Sequence, residues 1–247
     1  MQPPAAIGRA PAPATLYALG VTGRGWSNMA KMWAAAALAT AIPSAAAEAA
    51  PAAFRSGGVE FQVPPPAGYC LPRGDQIDVA QLLAAGDPLN VTHLTLLPCA
   101  EKSAGSHDYI VLKTPKEALL VRLELAPFLK EIGAAFDSQE FKAGIASGTY
   151  LQESGKSMSA VMGTQIDLTG DVRPLGKDDR CAYIGGTLKV AAKLANYTLA
   201  VGMCMTVVAG RLITINWYGP DTGSRGVAEL LMKSKRLAAE MSSKPAS

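Results

Sequence analysis

CAYIGGTLKVAAKLANYTLAVGMCMTVVAGRLITINWYGP, residues 181–220, decides the fold class. From 181 to 194 the even positions are apolar: Ala182, Ile184, Leu188, Val190, Ala192 and Leu194. The odd positions carry Cys181, Thr187, Lys189 and Lys193. From 197 to 208 the apolar set moves to odd numbers, Tyr197 through Val207, and Cys204 falls with Thr198 and Thr206. A period of two is the signature of a strand with one face turned to a core. The spacing therefore predicts strands at 182–194, 197–208 and 211–218, with Gly210-Arg211 as a tight connection. The segment TLAVGMCMTVVAG (198–210) has 13 residues before Arg211 interrupts it. That is short of the ~20 a membrane helix needs, and its Val and Thr favour a buried strand.

C-terminal to this meander, Val227, Leu230, Leu231, Leu237, Ala238 and Met241 recur at helical spacing. Asp221 or Ser224 is the expected cap, and Lys233, Lys235 and Arg236 occupy the opposite face near the C-terminal end. N-terminal to the meander the pattern is sparser. Residues 59–63 (VEFQV), 91–97, 109–114 and 164–172 read as strands. Residues 75–85 read as a helix capped by Asp75, and Pro127 opens another. Asp137-Ser-Gln-Glu140 is a capping box for a third helix, ending about Ser147. Residues 118–124 read either way, and 148–163, polar and rich in small residues, read as a loop. Pro64-Pro65-Pro66 is a stiff connector. The resulting class is α+β, a largely antiparallel sheet with helices covering one face.

Before this domain, residues 33–42 (WAAAALATAI) form a short apolar run behind Lys31. Pro43-Ser44 ends it, and Ala45-Ala46-Ala47 supplies the small residues a signal peptidase requires. Residues 1–47 are read as a leader, with Met29 as the expected initiator, 48–58 as a linker, and 59–243 as one domain. The leader holds Arg9, Arg24 and Lys31 and no acid. Of the 23 Lys+Arg, 20 remain beyond it against 20 Asp+Glu, so the net charge of +3 belongs to the leader. A neutral body without basic runs excludes electrostatic nucleic-acid binding, and no membrane span is expected in the exported chain.

Four cysteines remain: Cys70, Cys99, Cys181 and Cys204. An even count in an exported chain implies disulfides, with three possible pairings, and no C-x-x-C supports a redox motif or zinc ribbon. Cys181 and Cys204 share the less apolar face of their expected hairpin. They would sit directly opposite if the turn centred between Ala192 and Lys193, although Asn196 is the better turn residue. By loop closure each bridge contributes about 3 kcal/mol.

No residue constellation commits the chain to a reaction, a cofactor or a metal. Asp221-Thr222-Gly223-Ser224 spells the D-T-G-S of aspartic proteases, but no second D-[ST]-G supplies the paired carboxylate. A hydrolase with a dispersed site would draw on Asp221 and His93. His107, with Ser103 and Ser106 near it, makes a triad only on paper. Asp178-Asp179-Arg180 offers two acids for a cation and no third ligand. Met158, Met162, Met203 and Met205 could line an adaptable apolar pocket, or could simply be core.

Pro64-Pro-Pro-Ala-Gly68-Tyr69-Cys70, a short helix and an apolar strand ending at Cys99 resemble an uncharacterised family of bacterial exported proteins with an early P-A-G-[FY]-C and a second cysteine some thirty residues on. That resemblance implies the Cys70–Cys99 pairing and a periplasmic address, and no activity. The element order, with Trp217-Tyr218 in the meander and a last amphipathic helix, also resembles PsbP/Mog1-like α/β/α sandwiches; it transfers no functional residue. The expectation is a periplasmic or secreted, non-catalytic binding or assembly module whose partner is another envelope protein, with the hydrolase and the apolar-ligand carrier as alternatives. Mass spectrometry of the exported chain is expected to find a new N-terminus near Glu48; an intact leader on the exported chain would refute the reading.

Overall fold

A computed structural model describes residues 50–100, 107–193 and 195–245, all within one compact unit. The leader read over 1–47 lies outside the described residues, as do Ser103 and Ser106. The 181–220 stretch folds as the parity requires, into β7 (Ala182–Ala192), β8 (Ala195–Val208) and β9 (Arg211–Pro220). These join β3 (Tyr69–Cys70), β4 (Asn90–Pro98), β5 (Tyr109–Pro115) and β6 (Ile166–Lys177) in one seven-stranded sheet, in the order β3-β4-β5-β9-β8-β7-β6. Every neighbouring pair is antiparallel. The helices are α1 (Gln76–Ala85), α2 (Leu125–Asp137), α3 (Gln139–Ala146), α4 (Thr149–Met162) and α5 (Ser224–Glu240). The architecture is thus α+β, antiparallel and disulfide-stapled.

Helices were expected on one face of the sheet; both faces are covered. On one face α5 packs together with a small second sheet, β1 (Ala52–Ser56), β2 (Val59–Val63) and β10 (Ser242–Pro245). Phe54, Phe61 and Val63 from that sheet and Val227, Leu230 and Leu237 from α5 enclose Leu96, Ile110, Leu112, Ile213 and Ile215. On the other face α4 covers Ile166, Leu168, Val190 and Leu199, and α2 covers Ala182 beside Ile184 and Met205. With cover on both sides, Leu212 through Trp217 of β9 are all buried. Cover on both sides therefore buries even the polar members of ITINW, Thr214 and Asn216, which alternate with Ile213, Ile215 and Trp217.

The disulfides follow one geometric rule. The β7–β8 turn lies between Ala192 and Ala195, so Tyr183, and not Cys181, faces Cys204. Cys181 stands two residues further on the same side and reaches Cys204 diagonally, with 5.2 Å between Cα atoms and an S–S distance of 2.07 Å. Cys70 faces Leu97 and reaches Cys99 by the same diagonal, with Cα atoms 5.0 Å apart. The face carrying Cys181 and Cys204 was expected to be the less apolar one. It is the α5 face, and both cysteines are fully buried. It reads as polar because glycine occupies the positions where α5 comes closest. Gly185 and Gly202 are cross-strand partners. A Cβ on Gly202 would lie 2.6 Å from Leu230 Cβ and 2.8 Å from the Leu231 amide nitrogen, and one on Gly185 would lie 2.9 Å from Val227.

Three local readings are corrected. Residues 52–56 of the expected linker form β1, because Ala52, Phe54 and Ser56 alternate inward against β2. The expected loop at 148–163 is helix α4. Its small residues let it lie on β6: Gly155 passes close to the Ile166 carbonyl, and Ser159 Oγ accepts from the Ile166 amide at 2.8 Å. Residues 118–124, open between helix and strand, are neither; a 3-10 turn at Lys116–Ala118 leads into irregular chain held by Arg211, which donates to the Leu120 and Val121 carbonyls. Caps also shift. Ser138, not Asp137, caps α3 by accepting from the Phe141 amide, and Asp75 gives α1 no side-chain cap.

Gly202→Ala is expected to lower stability by about 1–3 kcal/mol through overpacking against α5. Gly144→Ala, in α3 with open space around it, should be neutral or stabilising by up to about 1 kcal/mol. Urea midpoints of the two variants check this; equal midpoints would contradict the close approach of α5.

Candidate functional site

The sequence-derived candidates are each committed to a structural partner. His93, in β4, stacks on Phe54 at 4.6 Å, and its Nε2 lies 2.9 Å from Thr114 Oγ1. The single Thr114 hydroxyl hydrogen goes to the Leu212 carbonyl, so His93 Nε2–H is the donor. Burial pushes the imidazole pKa down to about 4, which keeps it neutral at pH 7. Asp221 is exposed, and its Oδ1 accepts from the Gly223 amide at 2.9 Å. The cap of α5 is Gly223, not Asp221 or Ser224. The protease-like tetrapeptide is a turn leading into a helix, on a different element from His93. His107 stacks flat on Tyr197, 3.4 Å between centroids.

Asp178 is more deeply engaged than a cation loop would allow. Its Oδ1 accepts from the amides of Arg180 and Cys181, and its Oδ2 accepts from Tyr183 at 2.6 Å and from Lys235 Nζ at 2.6 Å. Burial alone would raise this carboxyl, but the hydrogen bonds from Lys235, Tyr183 and the two amides outweigh it and hold the group well below the usual carboxylate range. Lys235 therefore ties α5 to the β6–β7 turn beside the buried disulfide, and Lys233 lies over the Trp217 ring at 5.4 Å. Neither complements the last turn of α5, which holds no basic residue. Among the described residues, no group of three or more His, Cys, Asp and Glu is placed to hold a metal.

The four methionines do not converge. Met158, on α4, packs against Ile166, Leu168, Val190 and Leu199; Met203 is half-buried on β8, Met205 packs with the α2 cluster, and Met162 is 46% exposed. An apolar depression exists elsewhere: a trough of 680 Å³ between α2, α3 and the outer half of β6. Phe136, Phe141 and Ile145 form its apolar lining, and Gly133, Ala134, Ala146 and Gly176 keep its walls low. The ion pairs Asp137–Lys142 at 3.6 Å and Asp171–Arg173 at 2.8 Å lie along its rim, with Lys177 beside Gly133. β6 is the edge strand here, and Pro174 with the register shift after it interrupts its open edge. No sequence signal marked this trough, because β6, which completes it, follows α2 and α3 only after the whole of α4.

Two polar clusters also escaped sequence reading. Tyr69 Oη donates to Asp108 Oδ1, and Trp217 Nε1 donates to Tyr69 Oη at 3.1 Å, under the edge where β3 meets β4. On the opposite sheet face Lys113 donates to Asp87 at 2.5 Å, close to the stacked pair Tyr109–Tyr218. Burial alone would lower the Lys113 pKa; the oxygens of Tyr218, Asp87 and Tyr150 reverse that and raise it. Burial pushes both stacked phenols up, so they remain neutral donors. Asn216 is fully buried beside them.

No family model matches the chain, and no curated protein matches it. The solution structure of cyanobacterial PsbP (CyanoP) from Synechocystis sp. PCC 6803 aligns at 13% identity with a TM-score of 0.30, over 79% of this chain and 94% of that one. A superposition that loose does not bear on function.

Asp178→Asn is expected to cost about 1–3 kcal/mol at pH 7 by weakening the charge-assisted bonds. The folded pKa is depressed, so the carboxylate's contribution is complete above its ordinary value of 3.8 and fades as pH falls below it. Denaturation midpoints should therefore differ between variant and parent at pH 7 and begin to converge only as pH falls below about 4; a pH-independent difference would contradict the assignment.

Proposed function

We propose that this chain is an exported, non-catalytic binding or assembly module of the cell envelope, with the trough between α2, α3 and β6 as the place where it engages a partner. The observation that carries the reading is the trough itself. Its 680 Å³ falls within the usual range for ligand sites, and its lining carries half-buried Phe141 and Ile145 beside the buried Phe136. Two disulfides support an oxidising compartment, where such bridges persist. The leader pattern over 1–47 supports export, and the domain it delivers would begin at β1 rather than at residue 59. Among the described residues no helix is long and apolar enough to cross a membrane. The partner in this reading is another envelope protein. The apolar lining also favours a second reading, a carrier of a small apolar ligand, now placed on Phe136, Phe141 and Ile145 rather than on the methionines.

A photoreactive residue at position 142, on the exposed rim, is expected to give a discrete protein adduct in intact cells. Ala146→Arg, also exposed, fills the trough and should reduce that adduct about tenfold while leaving the melting temperature unchanged. A small-molecule adduct sensitive to the same substitution would favour the carrier. Absence of any adduct, or one indifferent to Ala146→Arg, would overturn the assignment of the trough.

A further inference from the structure

Residues 64–89 run from the triproline through β3 and α1 to Leu89, and within them only Gly86 is buried. Helix α1 contributes no buried side chain, and Leu71, Ile77, Val79 and Leu82 are 39–48% exposed. A segment that buries so little apolar surface opens at low free energy unless something else holds it. Here the fastenings are few. β3 pairs with β4 through two residues, and the Cys99 amide donates to the Gly68 carbonyl at 2.9 Å. Gln76 Nε2 donates to the Pro98 carbonyl at 3.2 Å, Tyr69 donates to Asp108, and Asp87 meets Lys113 at the far end. The only covalent cross-link is Cys70–Cys99.

The two disulfides sit in opposite surroundings. Cys181 and Cys204 are 0% exposed, beneath α5 in the main core. Cys99 is exposed and Cys70 half-buried, at the sheet edge. Thiol–disulfide exchange needs a thiolate to reach a sulfur, so access separates the two bridges.

We propose that Cys70–Cys99 is a thiol–disulfide exchange site, with a dithiol as reactant, and that it is the clasp of a flap formed by residues 64–89. A thiolate of the dithiol attacks the exposed Cys99 Sγ, and Cys70 leaves as a thiolate that takes up a proton. The second thiol of the dithiol, deprotonated, then attacks the mixed disulfide. Cys99 is released and protonated, and the dithiol departs as its own disulfide. The protein gains two thiols, and the dithiol loses two electrons and two protons. Without the clasp, β3 rests on a two-residue ladder, and Tyr69 is free to leave Asp108 and Trp217. Cys181–Cys204 keeps the core closed throughout. This inference does not depend on what occupies the trough.

The test uses the full chain under native conditions, with graded dithiothreitol, alkylation and peptide mapping. Cys70 and Cys99 should label at dithiol concentrations about tenfold or more below those that label Cys181 and Cys204. Hydrogen exchange should then accelerate about tenfold in β3 and α1 and stay unchanged in β7, β8 and β9. The double variant Cys70→Ser/Cys99→Ser should reproduce that exchange pattern without reductant and with Cys181–Cys204 intact. Simultaneous opening of both bridges, or opening of Cys70–Cys99 with no change in exchange over the flap, would overturn the proposal; the parent chain alone decides this if the double variant fails to fold.

Discussion

The contact between α5 and the β7–β8 pair is the constraint around which the rest is arranged. Gly185 and Gly202 leave room on the sheet for Val227 and Leu230 to touch backbone, and the fully buried Ser234 donates to the Gly202 carbonyl at 3.2 Å. Close packing of this kind tolerates no added methyl. Once α5 lies that near, Cys181–Cys204 is sealed under it, Lys235 reaches Asp178, and Lys233 reaches Trp217. The small β1-β2-β10 sheet then extends the same layer and completes the core.

Stability is unevenly distributed as a result. The central strands β5, β9 and β8 are covered on both faces, whereas β3 and α1 lie at one rim and the outer half of β6 at the other. These rims hold the features with room to interact: the trough beside β6 and the clasped flap beside β4. A rigid centre with adaptable margins is the usual division in binding proteins, since segments that rearrange must be drawn from the less stable parts.

The polar residues that drew attention in the chain are mostly occupied with structure. His93 supports Thr114, Asp178 gathers two amides, a phenol and an ammonium, and Asp221 forms a turn. His93 and Asp178 each also take a partner from another element, Thr114 of β5 and Lys235 of α5. A short motif such as D-T-G-S carries no information about such neighbours.

Strand parity in 182–208 and the amphipathic spacing of α5 were legible because each depends only on residues close in sequence. They determined an antiparallel α+β domain and placed Cys181 and Cys204 on one face of a hairpin. The sequence misassigned α4 as a loop and the α5 face of β7 as its less apolar side, both because small residues were read as signs of turn or exposure. Gly155, Ser159, Gly185 and Gly202 are small because another element lies against them. The trough, the second covered face of the sheet and the unequal exposure of the two disulfides were decided by tertiary structure alone. Each is a relation between segments tens of residues apart, and burial is a property of the packed chain that no local pattern encodes.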